Sequence, residues 1–239
     1  MAIDARPTRR TFLHVSGAAA AATVAACTPA PPASPPPPAP ETPVVNPDQA
    51  LARLLEGNRR YAANKSTDVD ESAARRTEVA AGQKPFATIL GCVDSRVPPE
   101  LVFDRGLGDL FVIRTAGQVM DKAVLGSLEF GVEELHIPLL MVLGHEKCGA
   151  VTATMEAIEK HAAAHEDINW LVDGIRPAVE QTKGRPGDAL DNAVRANVEL
   201  AVARLKGSPI LTEAIASGEL KIVGARYDLD TGVVEITVP

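Results

Sequence analysis

Short apolar runs that alternate with helical segments are the feature of this sequence that most constrains its fold. The apolar runs occupy residues 86–91, 110–113 and 139–143. Helical spacing of apolar residues marks the segments 123–135, 151–164 and 191–205. Strands joined by helical crossovers pair in parallel, and the helices then cover both faces of the sheet. The pattern therefore predicts an α/β fold with a mostly parallel central sheet and flanking helices.

The C-terminal end of the chain carries a hairpin signal. Asp230-Thr231-Gly232 separates two strand-like segments, residues 221–227 and 233–238. Consecutive strands joined by a short turn run antiparallel. We expect this hairpin to add an antiparallel edge to the sheet.

The first 27 residues have the character of an export signal rather than of a domain. Arg9 and Arg10 precede Phe12-Leu13, which is similar to a twin-arginine signal, and an alanine-rich apolar stretch follows. That stretch is too short to span a bilayer comfortably, so we predict a cleaved signal peptide at 1–27 and an exported protein, periplasmic or associated with the cell envelope. The small residues before Cys27 resemble a lipoprotein processing site, which would give a lipid anchor to the membrane. An ordinary cleavage site beside an incidental cysteine is the alternative.

Proline dominates the next segment. Ten of the 19 prolines in the chain lie in residues 28–47. Such a tract cannot form a helix or a sheet ladder and is typical of an extended, semi-rigid linker. The folded domain is therefore expected at 48–239, a length that suits one domain.

Charge and cysteine content exclude some classes of protein. The formal net charge of -7 disfavours non-specific nucleic-acid binding, and no nucleic-acid partner is expected. Three cysteines are too few for a disulfide scaffold. In open parallel sheets ligands bind at the carboxyl ends of the strands, so the residues that follow the apolar runs are the candidates for chemistry.

Metal-ligating side chains follow two of the apolar runs. Cys92, Asp94 and Arg96 come after the first run, and His145 and Cys148 come after the third. Together they supply two thiols, one imidazole and the carboxylate of Asp94, which make a tetrahedral ligand set for zinc. A disulfide between Cys92 and Cys148, as in a thiol redox protein, and two unrelated buried thiols are the alternatives.

The same residues resemble the motifs of the β-class carbonic anhydrases. The resemblance is carried by three segments, Cys92-Val93-Asp94-Ser95-Arg96-Val97-Pro98, Gly108 to Gly117, and Gly144-His145-Glu146-Lys147-Cys148-Gly149. Weaker similarity extends over nearly everything after Pro47. It implies an enzyme that reversibly hydrates carbon dioxide to bicarbonate and a proton, by attack of a zinc-bound hydroxide.

The resemblance also implies roles for individual residues. Cys92, His145 and Cys148 would hold one zinc ion per chain. Asp94 would either pair with Arg96, in an open site, or bind the metal itself, in a closed one. Gln83 matches a position where plant-like members carry a glutamine that hydrogen-bonds the substrate.

Further positions match the narrow apolar cleft of the family. They are Phe111, Ala116, Gly117, Phe130 and Gly149. Family members build this cleft between subunits, so the resemblance implies a homodimer or a homotetramer. Ile89 stands where the bicarbonate-regulated members carry tryptophan, which argues against a regulatory bicarbonate pocket.

Two other functions remain open from the sequence. Related proteins use the same zinc site to hydrolyse carbon disulfide or carbonyl sulfide. A non-catalytic zinc-binding module is the second alternative, although a purely structural site has no need of Asp94 and Arg96.

Overall fold

The structure is a computed structural model that describes residues 46–67, 71–161 and 164–239. The predicted signal peptide, Cys27 and all but the last two residues of the predicted linker lie outside the described residues.

A five-stranded sheet forms the centre of the described fold. Its strands are β1 (Ala87–Cys92), β2 (Leu110–Thr115), β3 (Leu139–His145), β4 (Lys221–Tyr227) and β5 (Val234–Val238). The spatial order is β2-β1-β3-β4-β5, with parallel pairing throughout except for the antiparallel pair β4–β5. The predicted α/β class, the parallel sheet and the C-terminal edge hairpin are confirmed.

Eight helices surround the sheet in the described part of the chain. They are α1 (Pro47–Ala62), α2 (Ala73–Val79), α3 (Pro99–Val102), α4 (Lys122–Glu133), α5 (Gly149–Glu159), α6 (Glu166–Thr182), α7 (Ala189–Leu205) and α8 (Pro209–Ala216). Short polar side chains cap several helix starts by accepting a hydrogen bond from a backbone N–H of the first turn, at Asn46, Asp121, Asp188 and Ser208.

Burial explains why β1 and β3 occupy the middle of the sheet. Every residue of both strands is buried, whereas all six residues of β2 are only half-buried. One face of the sheet packs on α1 through residues such as Leu54 and Ile89, and the other packs on α4 and α7 through residues such as Leu128 and Val198. Strands covered on both faces have nearly continuous apolar sequence, which is the pattern that the runs at 86–91 and 139–143 display.

Helix α7 approaches the sheet very closely. A Cβ added at Gly144 or at Gly224 would lie 2.5 or 2.6 Å from a methyl carbon of Val198. These two glycines therefore let α7 lie directly on β3 and β4, beside the end of the sheet where His145 stands.

Several boundaries differ from the sequence-based expectations. The helix expected at 151–164 begins at Gly149 and ends at Glu159, because Cys148 has extended backbone and serves as its N-cap residue. Helices α6 and α8 were not anticipated, and α6 continues through Pro177. Trp170 is half exposed on α6. Within the described residues, none of the helices combines the length and apolarity needed to cross a bilayer.

Candidate metal centre

The register of the sheet brings three of the four predicted metal-binding residues to one edge, and the fourth, Asp94, pairs with Arg96 beside them. Cys92 is the last residue of β1 and His145 the last of β3, and these two strands pair in parallel. Cys148 follows His145 after a tight turn in which Lys147 has a φ of 52°. That left-handed residue reverses the backbone, so that Cys148 at the start of α5 returns to the strand ends.

The three ligand atoms form a buried cluster. The two sulfur atoms and a ring nitrogen of His145 all lie within 4.8 Å of one another, and all three residues are buried. Cys92 and Cys148 are free thiols, so the disulfide alternative is not formed.

His145 presents a nitrogen that suits a metal. Its Nδ1 lies 2.8 Å from the carbonyl oxygen of Glu146, which can only accept, so Nδ1 carries the proton. Its Nε2 is buried and has no hydrogen-bond partner. A buried imidazole nitrogen left with a free lone pair beside two thiols is the donor set of a zinc site, and the residues present therefore fit the ion.

The hydrogen bond between the two cysteines shifts their pKa values in opposite directions. Hydrogen bonding from Cys148 is the largest cause that lowers the pKa of Cys92, and the backbone N–H of Gly117 lowers it further. The bond to Cys92 and burial raise the pKa of Cys148. Since zinc binds thiolates, the lowered pKa of Cys92 favours the form of this ligand that the metal binds.

Asp94 and Arg96 form a bidentate pair beside the cluster. The Nε and a terminal nitrogen of Arg96 donate to the two carboxylate oxygens of Asp94 at 3.0 and 2.7 Å. This bonding holds the pKa of Asp94 well below its usual range. One carboxylate oxygen also lies 3.9 Å from Nε2 of His145, so the carboxylate borders the space in front of the ligands.

Arg114 holds the loop that carries this pair. From β2 it donates to the carbonyl oxygen of Cys92 at 2.7 Å and to that of Asp94 at 2.6 Å. Two charge-assisted bonds to carbonyls two residues apart restrict the positions of the first zinc ligand and of the carboxylate together.

A 3-10 turn, Ala116–Gln118, lies behind Cys92. The backbone N–H of Gly117 points at the sulfur of Cys92, at a nitrogen–sulfur distance of 3.4 Å. Gly117 is buried and Ala116 half-buried. The structure therefore places Gly117 against a metal ligand, where its backbone N–H rather than a cleft surface makes the contact.

Other predicted site residues do not join the cluster within one chain. Gln83 is exposed and precedes β1, at the end of the strand opposite Cys92. Phe111 pairs with Thr88, four residues toward the amino end of β1, or about 13 Å from Cys92 at the usual strand rise. Phe130 is half exposed on α4. Gly149 does lie nearby, as the exposed first residue of α5.

Sequence reasoning missed one residue of the surroundings. Asn197, in α7, donates to the carbonyl oxygen of Gly117 at 2.7 Å, across 80 residues of sequence. A signal was present, because this polar residue interrupts an otherwise apolar helix face that includes Ala193, Val194 and Ala201. A polar side chain in a core position requires a partner, but the sequence does not say which.

Fold and site together define a class of protein. Three protein ligands leave a tetrahedral zinc with one open position, which is characteristic of catalytic rather than structural zinc. The centre lies at the carboxyl edge of a parallel sheet beside a carboxylate–guanidinium pair, so the chain is an α/β zinc enzyme.

Comparison with known proteins gives the family. A family model described as carbonic anhydrase matches residues 87–234. Carbonic anhydrase 2 of Mycobacterium tuberculosis is 44% identical over 191 residues, 80% of this chain and 92% of that protein. The carbonic anhydrase of Mycolicibacterium smegmatis is 38% identical over 195 residues, 81% of this chain and 95% of that protein.

A solved structure agrees with both. The Coccomyxa β-carbonic anhydrase in complex with acetazolamide superposes with a TM-score of 0.62 at 31% identity, covering 78% of this chain and 85% of that one. The chain belongs to the β-carbonic anhydrase family. It is a zinc-dependent carbonic anhydrase, which interconverts carbon dioxide and bicarbonate.

Proposed function

We propose that this carbonic anhydrase works from the open arrangement, in which the carboxylate of Asp94 faces Arg96 and leaves the fourth zinc position to the reactants. The observation that carries the proposal is the bidentate pair, with both carboxylate oxygens engaged by Arg96. A carboxylate held in this way by a guanidinium is a weaker competitor for the metal.

Each residue then has a defined task. Zinc, when bound by Cys92, His145 and Cys148, supplies a water acidic enough to be deprotonated near neutral pH. Asp94 accepts a hydrogen bond at the oxygen that borders the ligands, and its low pKa keeps it an acceptor throughout the neutral range. Arg96 orients Asp94, and the N–H of Gly149 at the start of α5 is a donor for a substrate oxygen.

The test combines metal analysis with a stopped-flow assay of carbon dioxide hydration. We expect one zinc per chain, full activity in the wild type and a large loss of kcat/KM in Asp94→Asn with zinc content unchanged. Asp173→Asn is the control, because Asp173 is an exposed carboxylate that pairs with Arg176 on α6 through a single contact of 3.4 Å and is not part of the ligand cluster. Equal activity of Asp94→Asn and Asp173→Asn would refute the role given to Asp94.

We propose further that the enzyme is a homodimer or a homotetramer. Gln83, Phe111 and Phe130 lie away from the zinc ligands of their own chain, and β2 is a half-buried edge strand. Large apolar side chains are exposed on segments near that edge, at Val93, Leu101, Leu107 and Phe130. A second copy packed there would cover this surface and bring Gln83 and the phenylalanines toward a neighbouring site.

Mixed oligomers test this arrangement. Gln83→Ala and Cys92→Ser would each lower activity, one through the shared cleft and the other through the metal. In a mixed oligomer the intact zinc site lies on the Gln83→Ala subunit and the intact Gln83 lies on the Cys92→Ser subunit. If Gln83 serves the neighbouring subunit, the activity per intact zinc site rises above that of Gln83→Ala alone. Sedimentation showing a monomer at micromolar concentration would overturn the proposal.

We also propose that the mature enzyme acts outside the cytoplasm, through the segment 1–27 and the linker 28–47. Support comes from the paired Arg9-Arg10 and from the small residues before Cys27. Replacement of both arginines by lysine should retain the protein in the cytoplasm. Mass spectrometry of the mature N-terminus distinguishes an acylated Cys27 from an unmodified start, and an intact Met1 in the periplasmic fraction would exclude processing.

A further inference from the structure

The sulfur of Cys92 accepts a hydrogen bond from the backbone N–H of a glycine, the residue type with the widest range of backbone conformations. Gly117 has a φ of 64°, in the left-handed region, and donates to the sulfur from the 3-10 turn. Glycine populates this region freely but populates others as freely. The direction of its N–H therefore depends on what holds the turn.

Two amide side chains hold it. Asn197 donates to the carbonyl oxygen of Gly117 at 2.7 Å, and Gln118 donates to the carbonyl oxygen of Leu143 at 2.9 Å. Gln118 thereby ties the turn to β3, two residues before His145. Asn197 ties the same turn to α7, and both side chains are buried.

Asn197 is itself held firmly in place. It stands next to Val198, the residue that the glycines of β3 and β4 admit to close contact with the sheet. Because α7 is packed against the sheet, the side chain of Asn197 has a fixed position relative to the sheet. Its hydrogen bond to the carbonyl oxygen of Gly117 therefore fixes the turn Ala116–Gln118 relative to the sheet as well. The N–H and the carbonyl of Gly117 belong to two planar peptide units that meet at one Cα, so with the carbonyl held by Asn197 the N–H can turn relative to it only if φ and ψ of Gly117 change.

We propose that Asn197 is a positioning residue for the metal centre: it holds the left-handed Gly117 so that the backbone N–H of Gly117 donates to the Cys92 thiolate. A hydrogen bond to a ligand sulfur withdraws charge from the sulfur and fixes the direction of its lone pairs. Groups that orient metal ligands in this way govern metal affinity and the acidity of what the metal binds.

Two variants remove the donor without a large change of volume. Asn197→Leu replaces the amide with an apolar group, and Asn197→Asp places an acceptor opposite the carbonyl of Gly117. Asn58→Leu is the matched control, since Asn58 is a buried asparagine whose amide donates to the carbonyls of Val102 and Gly232, neither of which contacts a ligand. All are compared after unfolding curves establish that they are folded.

Metal binding supplies the first readouts, none of which needs the enzyme to turn over. In competition with a chelator, both Asn197 variants should bind zinc about tenfold more weakly than wild type. In the cobalt-substituted proteins the sulfur-to-metal charge-transfer band should move to longer wavelength, because a sulfur without the N–H holds its electrons less tightly. Asn58→Leu should lower stability and leave both readouts unchanged. If zinc affinity and the charge-transfer band change as much in Asn58→Leu as in the Asn197 variants, the changes follow from lost stability alone, and the proposal is overturned.

The wild type provides a test that needs no variant. With cadmium-113 in place of zinc, nuclear magnetic resonance should detect scalar coupling between the metal and the amide proton of Gly117, transmitted through the Cys92 sulfur. The coupling should disappear in Asn197→Asp. Absence of the coupling at Gly117 in the wild type, or its persistence in a folded Asn197→Asp, would overturn the proposal while leaving the carbonic anhydrase function intact.

Discussion

Alanine at position 117 should damage both the fold and the metal centre. Gly117 has a φ of 64°, and a Cβ built there would lie 2.5 Å from Cδ1 of Ile175 and 3.2 Å from Cβ of Ala150. The left-handed backbone costs about 1–2 kcal/mol for a residue with a Cβ. Crowding in a packed core costs about 1–3 kcal/mol, and the stiffer unfolded chain returns about 0.4–1 kcal/mol. Gly117→Ala should therefore lower the free energy of unfolding by about 1–5 kcal/mol.

Urea denaturation of the metal-free protein, at fixed concentration, measures this loss. Gly126→Ala is the matched control, because Gly126 lies in α4 with no atom within 4 Å of an added Cβ and should gain up to about 1 kcal/mol from helix propensity. The double variant Gly117→Ala/Ile175→Val removes the clashing methyl, so it should lose less than the two single variants combined. The cost of the left-handed backbone at residue 117 should remain in the double variant.

Zinc affinity separates the local effect from the global one. Strain that displaces the N–H of Gly117 from the Cys92 sulfur should weaken zinc binding in both Gly117 variants, while Gly126→Ala binds as wild type does. A Gly117→Ala protein within about 0.5 kcal/mol of wild type, the usual range of neutral surface changes, would refute the reasoning about this turn.

Three further substitutions test separate parts of the structure. Arg96→Ala should lower kcat/KM for hydration roughly 10- to 100-fold with zinc retained, because the charge-assisted bonds that orient Asp94 are lost; unchanged turnover would reject the pair. Cys148→Ser should purify without stoichiometric zinc, and metal analysis showing one ion per chain would contradict the ligand set. The pKa of Asp228 is lowered to about 2, first by the backbone N–H and hydroxyl of Thr231, so its stabilising effect is present above pH 4 and is lost as pH falls toward 2. Asp228→Asn should be less stable at neutral pH and show a shallower loss of stability between pH 4 and 2 in urea titrations of the metal-free protein; an unchanged slope would exclude the effect.

The metal centre was predictable because its residues are local to strand ends. Cys92 and His145 terminate the two most continuously apolar runs, and in a parallel sheet such ends meet at one edge. The pattern of apolar residues thus predicted both the fold and the position of Cys92 and His145. The position of Cys148 was predictable too, because a spacing of three residues after His145 is enough for one reversal of the chain.

The surroundings of the centre were not predictable in the same way. Asn197 donates to Gly117 from α7, a helix that the apolar pattern predicted. The pattern did not predict how this helix is rotated on the sheet, because the rotation depends on the contact of Val198 with Gly144 and Gly224. Helix α6 escaped because its apolar residues are interrupted by charges and by Pro177, and packing against neighbouring helices overrides those local signals. Tertiary contacts of this kind leave no periodic trace in the sequence.

The parallel pairing of β1 with β3 sets an order of events during biogenesis. Cys92 and His145 become neighbours only when β1 pairs with β3 across a segment that contains β2 and α4, and pairing between such distant parts of a chain is slow. Until these strands pair, His145 and Cys148 form a two-ligand fragment with no third partner, and such a fragment holds zinc only weakly. The complete set of three ligands therefore exists only in the paired sheet, so we expect the ion to bind in whichever compartment the chain completes its folding.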